Sequence, residues 1–298
     1  MRYINNFLEK MKEKNIVINY IQVYKDGEIK EEYSRLDTKT RLNVCSVSKS
    51  VTSVGVGIAI DEGIIKLDEP IYKFFKEIDF EKCDSKVRDI TVRHLLTMTC
   101  GVKGKLFFMD DEERYVVKDL IKYFFSSEFS YVPGEHFEYC NFNTYILGCI
   151  IEKVTGQTLL EYMTPRFFDK LGIGNPDWLS CPMNHTAAAH SLMLTIDEMT
   201  KIGILLLNNG VYNNEKIVSK EYLEIATTNQ IKNNIPKYGY GFQFWINKDL
   251  KSYRADGKYG QYIIVVPESN LVVSMQALDS KKFYDDVWEE LIIPIINE

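Results

Sequence analysis

Several signatures of specialised proteins are missing from this sequence. The longest uncharged apolar-rich run beside a motif, residues 50–60, is shorter than the roughly 20 residues that cross a bilayer. None of the six cysteines forms a Cys-x-x-Cys pair, and no His-Glu-x-x-His sequence or glycine-rich nucleotide-binding loop occurs. We therefore predict free thiols, no membrane segment, no metal ion and no cofactor.

The sequence also lacks an excess of positive charge. It has 36 Lys and Arg residues against 42 Asp and Glu residues, a net charge of −6, and no basic run with interleaved aromatic residues. This balance argues against a nucleic-acid partner. The first residues contain neither an apolar stretch of secretory length nor a small-residue cleavage site, which predicts a cytoplasmic location.

Strand-like segments lie at both ends of the chain and helical segments lie between them. Alternating or β-branched patterns predict strands over 16–24, 29–33, 238–246, 262–266 and 271–277. Helical periodicity predicts helices over 92–98, 118–125, 144–154, 196–207 and 282–293. We expect a mixed α/β fold whose antiparallel sheet is flanked by helices. One domain would combine residues 1–45 and 235–298, residues 46–234 would form an inserted, mostly helical domain, and a cleft would lie between them.

The first candidate motif is Ser46-Val-Ser-Lys49, which precedes the uncharged run 50–60. A helix that is apolar on nearly every side runs through a core. Ser46 would begin this helix and Lys49 would follow one turn later on the same face. Desolvation there favours the neutral amine, which can accept a proton. The alternative is a capping serine followed by a surface lysine.

Two further motifs contain groups that suit acyl chemistry. Tyr139-Cys-Asn141 follows a Pro-Gly turn, and it offers a phenol for proton transfer and an amide for substrate binding. Asp256-Gly-Lys-Tyr-Gly-Gln261 enters the strand predicted over 262–266, and it offers a cation and a glycine that would let a backbone N–H approach a substrate oxygen. Taken alone, these motifs are equally compatible with a buried tyrosine, a turn asparagine and a hairpin turn with a solvated lysine.

In this order, the three motifs resemble the Ser-x-x-Lys, Tyr-x-Asn and Lys-Thr-Gly set of serine β-lactamases and penicillin-binding proteins. The resemblance is closest to the class C-related esterase and 6-aminohexanoate-dimer-hydrolase branch, and it covers roughly residues 15–295. It implies the β-lactamase/transpeptidase-like fold and a Ser46 nucleophile that forms an acyl-enzyme. It also implies that Lys49 and Tyr139 move the protons and that Asn141 orients the substrate.

The third motif contains the main departure from the family pattern. The resemblance implies that Lys258 supports the site electrostatically and that Gly260 and Gln261 line it, with the N–H groups of Ser46 and Gln261 as the oxyanion hole. Tyr259 stands where the family usually carries Thr or Ser, and a phenol would fill the pocket that holds the substrate carboxylate. This change favours a small ester or amide over a β-lactam.

Three alternatives stay open from the sequence. One is a β-lactamase or D-Ala-D-Ala carboxypeptidase acting on a lactam or peptide. The second is a non-catalytic binding module on the same fold. The third is a thiol nucleophile at Cys45, which adjoins Ser46 but has no recognisable histidine partner.

Overall fold

The computed structural model describes residues 2–103, 116–231, 238–249 and 251–298. The helices in these ranges are α1 (Arg2–Glu13), α2 (Val47–Asp61), α3 (Val92–Leu96), α4 (Leu120–Phe125), α5 (Asn141–Thr155), α6 (Leu159–Met163), α7 (Ile196–Leu207), α8 (Lys220–Ala226), α9 (Tyr284–Val287) and α10 (Ile293–Ile296). A π-helical turn, Trp288–Ile292, joins the last two.

A six-stranded antiparallel sheet is built from strands of both ends of the chain. The strands are β1 (Ile18–Lys25), β2 (Glu28–Ser34), β8 (Trp245–Ile246), β9 (Tyr253–Gly257), β10 (Gln261–Val266) and β11 (Leu271–Ala277). Their order across the sheet is β2-β1-β11-β10-β9-β8, and every neighbouring pair is antiparallel.

Five short strands form two small sheets. They are β3 (Leu42–Asn43), β4 (Asp177–Trp178), β5 (Leu192–Leu194), β6 (Val211–Tyr212) and β7 (Glu215–Lys216). The first three form a sheet in the order β3-β5-β4, which anchors the segment before α2 to the middle of the chain, and β6 pairs with β7.

The large sheet separates two apolar cores. Alternate residues of β10 face opposite sides: Ile263 packs into a core shared with α2, α5 and α7, whereas Ile264 packs into a core shared with α1 and the C-terminal helices. Because both faces are covered, every residue of β10 and β11 is buried. The first of these cores supports the buried helix α2.

Most predicted elements are present, with one clear correction. The helix predicted over 196–207 is found there, and Thr195 and Glu198 form its capping box. The strand predicted over 238–246 is wrong for most of its length, since only Trp245–Ile246 joins the sheet. Gln243 adopts a left-handed conformation, and its buried amide donates to the Leu95 and Leu96 carbonyls at the end of α3, which draws this segment away from the sheet.

The predicted division into two domains stays a prediction. Its boundary between residues 234 and 235 lies outside the described residues. Helix α7 belongs to the range predicted as the helical domain, yet it packs directly on the large sheet beside Val272 and Ile263. In the part of the chain that the structure describes, no helix has the length and apolarity to cross a membrane. The cytoplasmic location also stays a prediction.

The contact between α7 and the sheet gives a test of the packing. A methyl group added at Gly203 would lie 2.3 Å from Cγ1 of Val272 and 3.0 Å from Cγ2 of Ile263. We expect Gly203→Ala to lower the free energy of unfolding by about 1–3 kcal/mol, because overpacking outweighs the better helix propensity of alanine. Urea denaturation would measure this change.

Gly174→Ala is the matched control for this substitution. Among the described residues, no heavy atom outside its chain neighbours lies within 4 Å of the position of its added methyl group. We expect the control to change the free energy of unfolding little. Equal stability of the two variants would contradict close packing of α7 on the sheet.

Candidate active site

Ser46 directly precedes the buried helix α2. Cys45, the residue before it, has a left-handed backbone with φ of 49°, and its N–H donates to Oδ1 of Asn43 at 2.8 Å. Ser46 is the N-cap residue, but its side chain makes no capping hydrogen bond. Its hydroxyl instead lies 3.0 Å from Nζ of Lys49. This geometry disagrees with the alternative of a capping serine and a surface lysine.

Lys49 is buried in the first turn of α2, with 1% of its surface exposed. Its amine reaches three oxygens from three separate segments: Oγ of Ser46 at 3.0 Å, Oδ1 of Asn141 at 2.7 Å and the Ala189 carbonyl at 2.8 Å. Burial lowers the pKa of Lys49 to about 7, although the Cys140 and Cys45 thiols oppose this shift. The amine can therefore exist in either protonation state near neutral pH.

Tyr139 lies against both members of this pair. Its ring centre is 5.1 Å from Nζ of Lys49. Burial raises the pKa of its phenol well above the ordinary value, and a hydrogen bond with Ser46 acts in the opposite direction. The ring stacks on Trp245 at 5.7 Å between centroids and meets Tyr240 edge-on at 6.2 Å. The phenol is thus held beside the Ser46 hydroxyl by aromatic packing.

Asn141 is the first residue of α5, directly after the buried Cys140. The hydrogen bond from Lys49 to its Oδ1 fixes the orientation of the amide. The structure therefore brings together four residues of the first two motifs: Ser46, Lys49, Tyr139 and Asn141. Their roles in a reaction stay predictions at this point.

The structure places the centre of the third motif in a hairpin turn at the entry to β10. Lys258, Tyr259 and Gly260 form the three-residue turn between β9 and β10, and the last two have positive φ angles of 68° and 84°. Lys258 is exposed, and its amine lies 5.2 Å from the ring centre of Tyr259. A methyl group on Gly260 would meet Phe283, which belongs to the C-terminal region.

Gly257 is the glycine that approaches Ser46. A methyl group there would lie 2.4 Å from the Val44 carbonyl oxygen and 3.3 Å from the Ser46 amide nitrogen. Gln261 pairs with Gly257 across the hairpin and is buried, and its Nε2 donates to the Ala277 carbonyl at 2.6 Å. Gly257 therefore stands at the site. It belongs to the motif predicted over 256–261, but sequence reasoning assigned the site to Lys258, Tyr259, Gly260 and Gln261.

A cavity of about 200 Å³ opens beside these groups. Asn141 and Ala189, two of the three partners of Lys49, form part of its wall. Most of the remaining lining is apolar and includes Phe142, Leu179 and Pro182. The cavity has the character of a small-molecule site, with apolar walls and a few converging polar groups.

Cys45 is less suited to attack than Ser46. Burial raises the pKa of its thiol, although the positive charges of Lys49 and Lys258 act against this shift. Its Sγ lies 3.8 Å from the Asn43 carbonyl oxygen. All six cysteines are free thiols, as predicted.

Comparisons with known proteins identify relatives along nearly the whole chain. A profile of the family described as Beta-lactamase matches residues 4–292. An uncharacterised protein of Alkalihalophilus pseudofirmus is 26% identical over 273 residues, which cover 78% of this chain and 72% of that protein. A D-aminopeptidase of Brucella anthropi is 31% identical over 142 residues, which cover 45% of this chain and 26% of that enzyme.

A solved structure shares the fold. It is provisionally described as a 6-aminohexanoate-dimer hydrolase from Bacillus anthracis, and it matches this chain with a TM-score of 0.82 at 20% identity. The superposition covers 97% of this chain and 81% of that one. The likeness extends over the sheet and over the helices that position Ser46.

The buried amine predicts a specific dependence of stability on pH. The pKa of Lys49 is about 7 in the folded protein, against an ordinary value of 10.5. Between these values the unfolded chain binds a proton that the folded chain lacks, so the wild-type protein gains stability as the pH rises. Lys49→Met removes the amine, and with it the free-energy cost of keeping that amine unprotonated in the folded protein. We expect the variant to be more stable than the wild type near pH 6, with an advantage that shrinks by about 1.4 kcal/mol per pH unit above 7.

Urea denaturation of both proteins between about pH 6 and pH 9 would measure this difference. Lys39→Met removes an exposed lysine and serves as the control, with little change expected at any of these pH values. A stability difference between Lys49→Met and the wild type that stays constant across this range would contradict the lowered pKa.

Proposed function

The chain belongs to the β-lactamase family, and from that premise we propose that it is a serine hydrolase that forms an acyl-enzyme on Ser46 and hydrolyses a small ester or amide. Membership confirms the resemblance and the mixed α/β fold predicted from the sequence. The observation that carries the proposal is the contact of 3.0 Å between the Ser46 hydroxyl and the buried amine of Lys49.

Acylation begins with transfer of the Ser46 proton. Neutral Lys49 accepts this proton directly, or through the phenol of Tyr139, which is hydrogen-bonded to the same hydroxyl. The Ser46 oxygen attacks the substrate carbonyl, and the proton then passes to the leaving alcohol or amine. Lys49 and Tyr139 titrate as a coupled pair, so the base is best described as the pair.

The developing oxyanion would be stabilised by backbone N–H groups at the start of α2. Ser46 supplies the first donor, because its amide lies at the positive end of the helix dipole. Gln261 is the predicted second donor, and Lys258 is a further candidate because its N–H follows Gly257, which packs on Ser46. In deacylation the same groups act in reverse on a water molecule, and Asn141 holds the acyl oxygen or amide.

The substrate is proposed to be small. The cavity beside Asn141 has a volume of about 200 Å³, which suits a short acyl chain or a small ring. A β-lactamase or D-Ala-D-Ala carboxypeptidase activity is the second candidate. The match to the family described as Beta-lactamase favours it, whereas the lack of a cation and a hydroxyl at Ala255 and Asp256 argues against it.

The assignment of the nucleophile predicts how single variants behave. We expect the wild type to hydrolyse p-nitrophenyl acetate and Ser46→Ala to lose at least about a thousandfold in kcat, since the acyl-enzyme cannot form. Cys45→Ser keeps the neighbouring backbone and should retain most of the activity. Release of p-nitrophenol measures both, and full activity in Ser46→Ala would refute the proposal.

Intact-mass analysis separates the candidate functions. A fluorophosphonate adduct on Ser46 without a penicillin adduct supports the esterase or amidase. A stable penicillin adduct on Ser46 supports a penicillin-binding protein. The absence of any adduct, together with the absence of turnover, would leave a non-catalytic binding module on the same fold.

The state of Lys49 predicts the pH profile of the reaction. The base must be neutral to accept the Ser46 proton, and burial lowers the pKa of Lys49 to about 7. We expect kcat/KM for p-nitrophenyl acetate to rise with pH and to level off above about 7. Lys39→Met should show the same profile as the wild type. A profile that is flat, or that falls as the pH rises, would exclude neutral Lys49 as part of the base.

A further inference from the structure

A carboxylate that the proposed reaction does not use lies one residue before the glycine beside Ser46. Asp256 precedes Gly257, the residue whose Cα packs against the Ser46 amide nitrogen. Asp256 and Arg254 lie on the same face of β9, and Trp245 of β8 is the cross-strand partner of Arg254. This part of the sheet therefore reaches the nucleophile at one end.

Contacts between side chains continue from this carboxylate to the proposed base. Nε of Arg254 donates to Oδ2 of Asp256 at 2.8 Å, and the guanidinium carbon lies 5.8 Å from the ring centre of Trp245. Trp245 in turn stacks on Tyr139. Burial raises the pKa of Tyr139 most, and the negative charge of Asp256 raises it further. The carboxylate thus lies close enough to act on groups in the cleft.

Asp256 is the more exposed member of the ion pair. Arg254 is 2% exposed, and its guanidinium is held by Asp256, by Oδ1 of Asn247 at 2.9 Å and by the ring of Tyr284, whose centre is 3.6 Å away. The side chain of Asp256 is 26% exposed. Within the described residues, Arg254 supplies its one side-chain hydrogen bond, through Oδ2. The guanidinium is thus enclosed, whereas part of the Asp256 side chain is exposed. Burial raises the pKa of the Asp256 carboxyl, and the charge of Arg254 acts against this shift.

Aromatic rings stand beside this carboxylate. Tyr139, Tyr240 and Trp245 pack on one another, with centroid distances of 4.9 to 6.2 Å. Trp245 and Tyr139 keep part of their surface exposed. The faces of such rings attract organic cations, and a neighbouring carboxylate adds to that attraction.

The negative charge of Asp256 is opposite in sign to that of the lysine in the family's Lys-Thr-Gly motif. When the resemblance is aligned on Gly257, the glycine beside Ser46, it implies that Ala255 and Asp256 replace the cation and the hydroxyl of Lys-Thr-Gly. Those groups suit a substrate carboxylate, whereas Asp256 repels one. Lys258 and Lys282 are the nearby cations, and both are exposed to solvent, which weakens their influence.

We propose that Asp256, with the rings of Tyr139 and Trp245, forms a subsite for a positively charged group of the substrate, so that the enzyme prefers esters or amides carrying an ammonium group. This inference rests on the proposed Ser46 chemistry for its turnover readout, but it can also be tested by binding alone. Asp256 acts here as a specificity residue and takes no part in proton transfer.

Three thioesters that differ in charge test the proposal. They are acetylthiocholine, its neutral carbon isostere 3,3-dimethylbutyl thioacetate, and the anionic S-acetyl-3-mercaptopropionate. We expect kcat/KM of the wild type to be about five- to tenfold higher for the cation than for the isostere, and lowest for the anion. In Asp256→Asn the ratio of cation to isostere should fall towards one. Equal turnover of cation and isostere by the wild type, or preference for the anion, would overturn the proposal.

A binding experiment keeps the two proposals separate. Choline and 3,3-dimethylbutanol would be titrated by calorimetry into Ser46→Ala, which binds without turnover. Tighter binding of choline than of 3,3-dimethylbutanol, lost in Ser46→Ala/Asp256→Asn, supports the subsite. This holds even if the wild type hydrolyses no thioester, because the lack of hydrolysis would refute only the proposed function. Equal binding of the two ligands would refute the subsite. Asp256→Asn removes the charged partner of the buried Arg254, so the thermal unfolding of this variant is first compared with that of the wild type. If the variant does not fold, the wild-type ratio of kcat/KM between the cationic and the neutral thioester decides the test.

Discussion

The site depends on one costly interaction, the burial of the Lys49 amine in the first turn of an apolar helix. Nearly all of α2 is enclosed and 1% of the Lys49 surface is exposed, so the lysine finds its partners inside the protein. It finds them in three segments that are far apart in sequence, at Ser46, Asn141 and Ala189. The same burial that lowers the stability of the fold below alkaline pH prepares the amine to accept a proton. Stability and chemistry are thus opposed at this residue, as is common at active sites.

A second constraint is the close approach of the sheet to the start of α2. The backbone of Gly257 lies so near Val44 and Ser46 that any side chain would collide with them. This contact joins the strands of the C-terminal region to the helix that carries the nucleophile. Because β9 and β10 are held by a buried sheet, the peptide groups around Gly257 are fixed before a substrate arrives, which is the condition for an effective oxyanion hole.

The sequence was sufficient for those features that depend on local pattern. An uncharged run after Ser-x-x-Lys predicts a buried helix with Ser46 and Lys49 on one face, and the structure has both. The place of Gly257 could not be predicted in this way, because Lys258-Tyr-Gly260 matches the family motif better in letters. Which glycine meets Ser46 is decided by the three-residue turn between β9 and β10. The contact between Ala189 and the Lys49 amine has no signal in the sequence, because the backbone carbonyl of Ala189 accepts the hydrogen bond.

The shift of the third motif also bears on how Lys49 becomes a base. Burial is the influence that lowers its pKa, and the neighbouring Cys140 and Cys45 thiols act in the opposite direction. Ala255, two residues before the glycine beside Ser46, carries no positive charge that could help to keep the amine neutral. The lowered pKa of Lys49 therefore depends on the exclusion of water from its surroundings. A substrate that covers the Ser46 hydroxyl would exclude more water from the amine and favour its neutral form further, so that binding itself would prepare the proton acceptor.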